Sequence, residues 1–398
     1  MSLRPTLLPI ARRVGRSDAR AVGIVANEFF DPALGRMGGF GWAARTSAEC
    51  LAGARQVDRP PVLLAGRRGL GTRRPDRHES GIPLVKHEDD RRRYARRLDR
   101  ADVGLFLTVD YRPNYLPVLE ARDLPTIVWI RDPRSPADVQ RIATLELPSR
   151  LESPQGVDAV DCRSLGAHVA RSETTGRPVV FASPAPGLAA PRMRSTYDVE
   201  HAGVHFLPNP VAPVAVGARR SGRPRVAFLG RLDPIKRPWV FVELARRFPR
   251  VEFVVLGRAH FEGPGSWHPE RLPSNVTVLG HVDGESKRSV LGSAWMIVNT
   301  SIHESLPISF LEALHCSTPI VSCQDPEDVT SRFGRYVGRW DGSGLDALDA
   351  FGDAIESLLD DDDLRLRLGV EGREWARTNH TPERFLEAFT ALTASLDG

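Results

Sequence analysis

Two glutamates flank a short turn in the second half of the chain, in the segment NTSIHESLPISFLEALHCSTPIVS at residues 299–322. Glu304 and Glu312 have seven residues between them. The apolar run WMIVNT predicts a strand before them, and Pro307 suits the first position of a helix. Because ligands of open α/β sheets bind at the carboxyl ends of strands, this order predicts that Glu304 lies at a ligand-binding edge.

The helix predicted after Pro307 indicates what the ligand could carry. A helix N-terminus offers unpaired backbone N–H groups to a phosphate, and those of Ile308 and Ser309 are candidates. Glu312, more than one turn into the helix, could then reach ribose hydroxyls. Alternatively, Glu304 only complements the helix dipole and Glu312 is a solvated surface residue. A zinc-protease motif is excluded, because Pro307 replaces the second His of H-E-x-x-H.

A cationic turn precedes this segment, in VAFLGRLDPIKRPWVFVELA. The pattern predicts a strand, a turn that contains Arg231 and Lys236, and a helix that begins near Pro238. Two cations at a strand end can stabilise the charge that grows on a departing phosphate, without a metal. The chain has only the lysines Lys86, Lys236 and Lys287, which favours a specific need for a compact charge at 236 over a chance surface lysine.

Short apolar runs alternate with helical stretches along the chain, which predicts parallel α/β sheets. The runs are AVGIVAN, PPVLLAG, VGLFLTV, PTIVWI, PVVFAS and VHFLPN in the first half, and RVAFLG, VEFVVLG, NVTVLG, WMIVNT and PIVSC in the second. The segment PVAPVAVGARRSGRPR between the halves has the composition of a linker. We therefore predict doubly wound domains over residues 1–213 and 214–378, followed by a terminal helix at about 379–398.

Taken together, GRLDPIK and ESLPISFLE resemble the retaining GT-B glycosyltransferases of family 4, whose second domain carries G-R-L-x-P-x-K and then E-x7-E after a strand. The likeness covers residues 225–325 and the tail at 358–385, and it is weak over the first 200 residues. It implies two Rossmann-like domains that face each other across a cleft. The second domain would bind a UDP- or GDP-sugar donor, the first would bind the acceptor, and the final helix would cross back to the first domain.

The resemblance also implies roles for individual residues of the second domain. Arg231 and Lys236 would bind the diphosphate and Glu304 the donor sugar. Glu312 would bind the ribose, the backbone around Val282 the base, and Lys287 would lie near the nucleotide.

The implied reaction is transfer of a sugar to an acceptor hydroxyl with retention of configuration, with no metal and no cofactor besides the donor. Its transition state should resemble an oxocarbenium ion. Only Glu304 is placed near the sugar, so no covalent nucleophile is assigned, and the leaving phosphate would help to take the acceptor proton. The acceptor could be a glycan, a lipid or a small molecule.

A glycine-rich loop in the first half, GRMGGFGWAARTSAECLAG, precedes a predicted helix. Glycine permits close approach of a phosphate, and the resemblance places Gly38 and Gly39 against the donor from across the cleft. The stretch from Gly39 to Ala44 also fits the dinucleotide fingerprint G-x-G-x-x-A. This alternative is weak because EFFDPALGRM separates the strand from the glycines.

The segment IVWIRDPRSP departs from the family pattern. Many relatives have a His after the fourth strand of the first domain, whereas this chain has Arg131 and Asp132 there. Both residues are candidates for the acceptor side. For Asp132 we favour a cap of the helix or turn that begins at Pro133, with an acceptor-side carboxylate as the alternative.

Composition narrows the class of protein. A net charge of +4 over 398 residues and the lack of a recognition motif argue against nucleic acid as a partner. The four cysteines form no C-x-x-C pair, and no apolar run reaches about twenty residues, so we expect a soluble cytoplasmic protein. The arginines of RRGLGTRRPDRHES and DDRRRYARRLDRAD most simply lie in solvent, but they could dock the inner membrane surface or a phosphorylated acceptor.

Two other functions remain open on the same fold. One is a different chemistry, such as C–N coupling by a pseudo-glycosyltransferase, an epimerase or a phosphorylase. The other is a non-catalytic nucleotide-sugar-binding protein, which the presence of Arg131 suggests.

Overall fold

The computed structural model describes residues 20–31, 38–54, 57–66, 76–145, 161–200, 203–214, 221–259, 267–269 and 271–396. The N-terminal run TLLPI, most of the arginine-rich stretch at 67–80 and residues 215–220 of the predicted linker lie outside these residues. The boundary near residue 213 stays a prediction.

The first half of the chain forms a seven-stranded parallel sheet with the order β3-β2-β1-β4-β5-β6-β7. Its central strands are apolar runs that are buried on both faces, as parallel sheets covered by helices require. The sequence predicted six of the seven strands and missed the two-residue β3. The strands are β1 (Ala21–Ala26), β2 (Pro61–Ala65), β3 (Leu84–Val85), β4 (Val103–Val109), β5 (Thr126–Trp129), β6 (Val179–Ser183) and β7 (Val204–Phe206).

Seven helices accompany this sheet: α1 (Gly39–Gly53), α2 (Arg91–Arg100), α3 (Leu116–Leu119), α4 (Pro136–Ala143), α5 (Ser164–Thr174), α6 (Pro186–Ala189) and α7 (Met193–Tyr197). In α2, Tyr94 and Leu98 are buried on the sheet while most of the arginines are exposed, as expected for arginines that lie in solvent.

The second half forms a six-stranded parallel sheet with the order β10-β9-β8-β11-β12-β13. Five of its strands follow the predicted apolar runs, and the sixth, β13, was missed because it is short and polar. The strands are β8 (Arg225–Leu229), β9 (Glu252–Leu256), β10 (Val276–Gly280), β11 (Met296–Asn299), β12 (Ile320–Ser322) and β13 (Gly334–Tyr336).

The helices of this half are α8 (Pro238–Arg247), α9 (Gly284–Ser293), α10 (Ile308–His315), α11 (Val329–Phe333), α12 (Leu348–Asp360), α13 (Asp362–Asn379) and α14 (Pro382–Ala394). Helix α10 begins one residue later than expected. Pro307 has an extended backbone and is its N-cap rather than its first helical residue.

The last helix returns to the first sheet. The Thr381 hydroxyl accepts the N–H of Arg384, so it caps α14, and Pro382 follows as the first helical residue. Phe385 and Phe389 are fully buried in the core of the first sheet, and the ring of Phe385 lies 5.6 Å from that of Trp129. Among the described residues, no helix is long and apolar enough to cross a membrane.

Candidate functional site

Glu304 lies in the loop that follows β11 and precedes α10. Its Oε1 accepts hydrogen bonds from Lys236 Nζ at 2.5 Å, Ser301 Oγ at 2.6 Å and Asn299 Nδ2 at 3.1 Å. Burial disfavours the ionised carboxyl, but Lys236 and the two neutral donors outweigh it and lower the pKa of Glu304. No hydrogen bond to Oε2 is found from any described residue, so this second oxygen can accept one from a ligand.

Lys236 reaches Glu304 because their loops follow neighbouring strands. β8 pairs with β11, so the turn after β8 and the loop after β11 meet at one edge of the second sheet. The side chain of Thr300 links the two loops, because its hydroxyl donates a hydrogen bond to the carbonyl of Lys236 at 2.7 Å. The motifs GRLDPIK and ESLPISFLE therefore meet at one edge of the second sheet.

Arg237, which sequence reasoning passed over, also joins these loops. Its backbone adopts the left-handed region at φ 46°, and its buried Nε donates to the carbonyl of Thr300 at 2.7 Å. Nη2 donates to the carbonyl of Ser301 at 3.3 Å. Burial lowers the pKa of Arg237, and the thiol of Cys323 partly offsets this effect. The only signal in the sequence is a second cation directly after Lys236, and arginines are too frequent in this chain for that signal to be specific.

Arg231 lies in the same turn but is more open to solvent, with 39% of its side chain exposed. Its Nε is 3.0 Å from the Asp233 carboxylate. An exposed guanidinium beside the buried pair of Lys236 and Glu304 can turn toward an anionic ligand.

Glu312 and Lys287 form a second ion pair, between α10 and α9. Lys287 Nζ lies 2.6 Å from Glu312 Oε1 and 3.2 Å from Asp283 Oδ1. Burial disfavours the charge on Lys287, but the two carboxylates outweigh it and raise its pKa. For Glu312 burial dominates and raises the pKa despite the lysine. Val282 is half-buried in the loop before α9, against the same core cluster as Ile308.

Ile308 and Ser309 form the first turn of α10 and lie between Glu304 and Glu312 in the sequence. Pro307 provides no side-chain cap, and the first amides of a helix have no intrahelical partner. The helix therefore presents donors at the sheet edge where Glu304 lies. The structure thus groups Lys236 with Glu304 and Lys287 with Glu312, and α10 connects the groups.

The glycine loop of the first domain is hydrogen-bonded to a carboxylate of the same chain. Gly38 N donates to Glu28 Oε2 at 3.1 Å, and a Cβ at position 38 would lie 2.7 Å from both oxygens of Glu28. A Cβ at Gly39 would meet nothing within 4 Å. Sequence reasoning missed Glu28. β1 ends at Ala26 and α1 begins only at Gly39, so these glycines do not form the tight strand-to-helix turn of a dinucleotide fingerprint.

Asp132 contacts the second domain, and its prediction as a helix cap is wrong. Ser135 is the N-cap of α4, where its hydroxyl accepts the N–H of Asp138 and the Asp138 carboxylate reaches back. Asp132 Oδ1 instead lies 2.8 Å from His303 Nε2, and Arg134 is 2.7 Å from the other oxygen. These partners outweigh burial and lower the pKa of Asp132 well below its ordinary range. The cap moved to Ser135 because Pro136, not Pro133, begins the helix.

Arg131, the preceding residue, lies just beyond β5 and has different contacts. Its guanidinium stacks over the Trp129 ring, with Cζ 4.4 Å from the ring centroid. Burial lowers the pKa of Arg131 to about 10, with Asp110 partly offsetting the effect. The neighbouring residues Arg131 and Asp132 therefore serve different surroundings. Within the described part of the chain, no three His, Cys, Asp or Glu side chains are grouped as metal ligands.

Solved structures show the class of fold. Two parallel-sheet α/β domains in this order form the GT-B fold of glycosyltransferases. Sucrose-phosphate synthase from Thermosynechococcus elongatus matches with a TM-score of 0.66 at 17% identity, over 95% of this chain and 99% of that one. Anabaena Alr3699/HepE, solved in complex with UDP-glucose, matches with a TM-score of 0.62 at 10% identity, over 94% and 100% of the two chains.

Sequence comparison gives a narrower likeness for the second half. Residues 215–375 match the family model of glycosyl transferases group 1. The D-inositol 3-phosphate glycosyltransferase of Mycobacterium leprae is 29% identical over an alignment of 203 positions, which covers 45% of this chain and 43% of that protein. The alpha-maltose-1-phosphate synthase of Mycolicibacterium smegmatis is 30% identical over an alignment of 195 positions, which covers 43% of this chain and 49% of that protein. The chain thus matches about half the length of these curated relatives.

Proposed function

We propose that this protein is a glycosyltransferase that transfers a sugar from a UDP- or GDP-sugar to an acceptor hydroxyl. The observation that carries the proposal is the carboxylate of Glu304 at the carboxyl edge of the second sheet. Its Oε1 accepts hydrogen bonds from three donors, one of them Lys236, whereas its Oε2 accepts none from the described residues. The GT-B fold and the match to glycosyl transferases group 1 support it. So does the UDP-glucose complex of the Anabaena structure.

The proposed donor lies along the loops after β8 and β11 and the start of α10. Lys236 has three N–H donors, so it can stay paired with Glu304 and also bind a diphosphate oxygen. Arg231 and the first amides of α10 add further donors, and the dipole of α10 favours the negative charge. Glu312, paired with Lys287, binds the ribose, and the backbone at Val282 contacts the base.

In the proposed mechanism, these cations stabilise the leaving diphosphate as the bond to the sugar breaks. Glu304 Oε2 accepts a hydrogen bond from a donor-sugar hydroxyl and orients the ring. The charge that develops on the sugar resembles an oxocarbenium ion. With Oε1 tied to Lys236, Glu304 is assigned to positioning and not to covalent attack, which accords with retention through a same-face reaction.

We further infer that transfer needs no metal, because Lys236, Arg231 and the α10 N-terminus supply the positive charge that the diphosphate needs. The described cysteines are all free thiols, which fits the proposed cytoplasmic location. On this proposal, the arginine-rich surface of the first domain is available to an acceptor at the inner face of a membrane.

Donor binding tests the proposal directly. In a thermal-shift panel of UDP-, GDP-, ADP- and dTDP-sugars with NAD(H), we expect one sugar nucleotide to stabilise the wild type, by about 2.7 kcal/mol at a hundred times its Kd. Lys236→Ala should reduce this shift. Lys86→Ala is the matched control, because Lys86 pairs with Asp76 on the first domain. Stabilisation by NAD(H) alone would instead favour the glycine-loop alternative.

A further inference from the structure

Two buried polar side chains at the carboxyl edge of the first sheet have polar atoms that find no hydrogen-bond partner in the described part of the chain. Arg131 follows β5 and Asn209 follows β7; the former is 7% exposed and the latter 0%. Nε and Nη1 of Arg131, and both polar side-chain atoms of Asn209, form no hydrogen bond with any described residue. Buried polar groups are nearly always hydrogen-bonded, so these atoms can accept a ligand as their partner.

The two side chains border one small region around Trp129 and His380. The Arg131 guanidinium stacks on Trp129, whose Nε1 donates to the carbonyl of Leu207 at 2.9 Å, two residues before Asn209. The backbone N–H of Asn209 donates to His380 Nδ1 at 3.2 Å. Burial lowers the pKa of His380 to about 3, and the charge of Arg131 contributes. His380 is therefore neutral and supplies no charge to this region.

Among the described residues, no carboxylate forms an ion pair with the Arg131 guanidinium. Asp110 offsets part of its burial, but Oδ1 of Asp110 already accepts the backbone N–H groups of Arg131 and Asp132, at 3.1 and 3.2 Å. Oδ2 lies 3.4 Å from Arg112. With a pKa of about 10, Arg131 is charged at neutral pH. Contact with Trp129 contributes a cation–π interaction but satisfies no N–H group.

We propose that Arg131 and Asn209 bind an anionic group, a phosphate or a carboxylate, of the acceptor. This inference rests on the proposed glycosyltransferase function. A guanidinium can give two parallel N–H bonds to such a group, and the Asn209 amide can donate to a further oxygen. Asp132, the next residue, contacts His303, which directly precedes Glu304. The bound group would thus hold the acceptor beside the donor sugar while its hydroxyl reacts.

The donor also carries phosphate groups, which are an alternative ligand for Arg131. The cations assigned to the donor diphosphate, Arg231 and Lys236, however, belong to the second domain. Saturating the donor site with nucleotide distinguishes phosphate binding at Arg131 from phosphate binding at the donor site. Inorganic phosphate is the probe, titrated by thermal shift against the full chain with and without saturating UDP or GDP, whichever binds.

We expect phosphate to stabilise the wild type even when the nucleotide is bound. Arg131→Gln should raise the apparent Kd for phosphate at least about tenfold, the effect of losing a charge-assisted hydrogen bond. Arg163→Gln is the control, because Arg163 is exposed and its side chain bonds only to Asp161 among the described residues. A phosphate response that vanishes with nucleotide present, or that survives Arg131→Gln unchanged, would overturn the proposal.

Asn209→Asp provides a second test in case Arg131→Gln fails to fold. A carboxylate at 209 would pair with Arg131 from within the chain, so we expect a higher melting temperature and no response to phosphate. An Asn209→Asp variant that responds to phosphate like the wild type would contradict the site. If phosphate binding depends on Arg131 but no nucleotide binds, the donor assignment fails while the anion site stands. If a nucleotide binds but phosphate binding does not depend on Arg131, only the anion site is refuted.

Discussion

At the scale of single residues, the two oxygens of Glu304 differ in their surroundings. Three donors converge on Oε1, whereas Oε2 accepts nothing from the described residues. A buried carboxylate that uses only one oxygen for structure has the other available for a ligand. Lys236 has two effects. It keeps Glu304 ionised, and it adds positive charge at the proposed diphosphate site.

Replacing either partner should therefore slow sugar transfer. We expect Glu304→Gln and Lys236→Ala each to reduce kcat by at least about a hundredfold, the usual scale for one electrostatic contact in a transition state. Steady-state kinetics with the donor found in the binding panel measures this, with Lys86→Ala as control. Near-normal turnover in both variants would refute the site assignment.

The Glu304–Lys236 pair should also affect stability in acid. The folded-state pKa of Glu304 lies below its ordinary value of 4.5, so its ionised form stabilises the fold above that pH. This contribution is lost as pH falls through the folded pKa. We expect the stability difference between wild type and Glu304→Gln to shrink as pH falls below about 4.5, in urea unfolding at stepped pH. A difference that stays constant would show that Glu304 is not ionised by this pairing.

At the scale of elements, the last helix links the end of the chain to the first sheet. Thr381 and Pro382 begin α14 where α13 ends, and the helix then places Phe385 and Phe389 in a core built by residues more than 170 positions earlier, such as Trp129 and Leu207. The first sheet is thus completed by the C-terminal helix of the chain. Stability of the first domain should depend on this helix.

Phe385→Ala tests that dependence. Its ring is fully buried against Trp129, so we expect a loss of about 3–5 kcal/mol in the free energy of unfolding, as for other buried phenylalanines. Chemical denaturation measures the loss. Glu387→Ala on the same helix, where an exposed Glu387 pairs only with Arg384 among the described residues, should change it by less than about 0.5 kcal/mol. Equal effects of the two changes would argue against docking of α14.

At the scale of the whole molecule, helix α4 joins the two domains. Asp138 lies 2.8 Å from Arg339, and Arg141 lies 3.2 Å from Asp341. Ile142 packs into the core cluster of the second domain. Together with the contact between His303 and Asp132, these interactions hold the domains together on the side of the cleft where Glu304 lies.

Removal of the second-domain partners should open the cleft. In the double variant Arg339→Gln, Asp341→Asn, α4 keeps its cap, because Ser135 and Asp138 are unchanged. We expect a larger radius of gyration in small-angle X-ray scattering without nucleotide, and a smaller difference from wild type at about 1 M salt, where exposed charges are screened. Arg247→Gln, on an ion pair within the second domain, is the control. Identical scattering curves would mean that apolar packing alone sets the domain arrangement.

Much of the molecule followed from local patterns. Apolar runs predicted eleven of the strands, because a buried parallel strand must be apolar on both faces. The resemblance placed both Lys236 and Glu304 near the donor, but their direct contact follows from the pairing of β8 with β11, which only the structure shows. The strands that were missed are β3, which has only two residues, and β13, which is short and polar.

The sequence by itself therefore determined the two sheets and the main residues of the proposed donor site. Only the tertiary structure decided the contacts of Arg237, the pairing of Asp132 with His303, and the surroundings of Arg131 and Asn209. These depend on how loops far apart in the chain approach one another and on how the domains are oriented. No periodicity or motif encodes such distances, because they result from the packing of the whole chain.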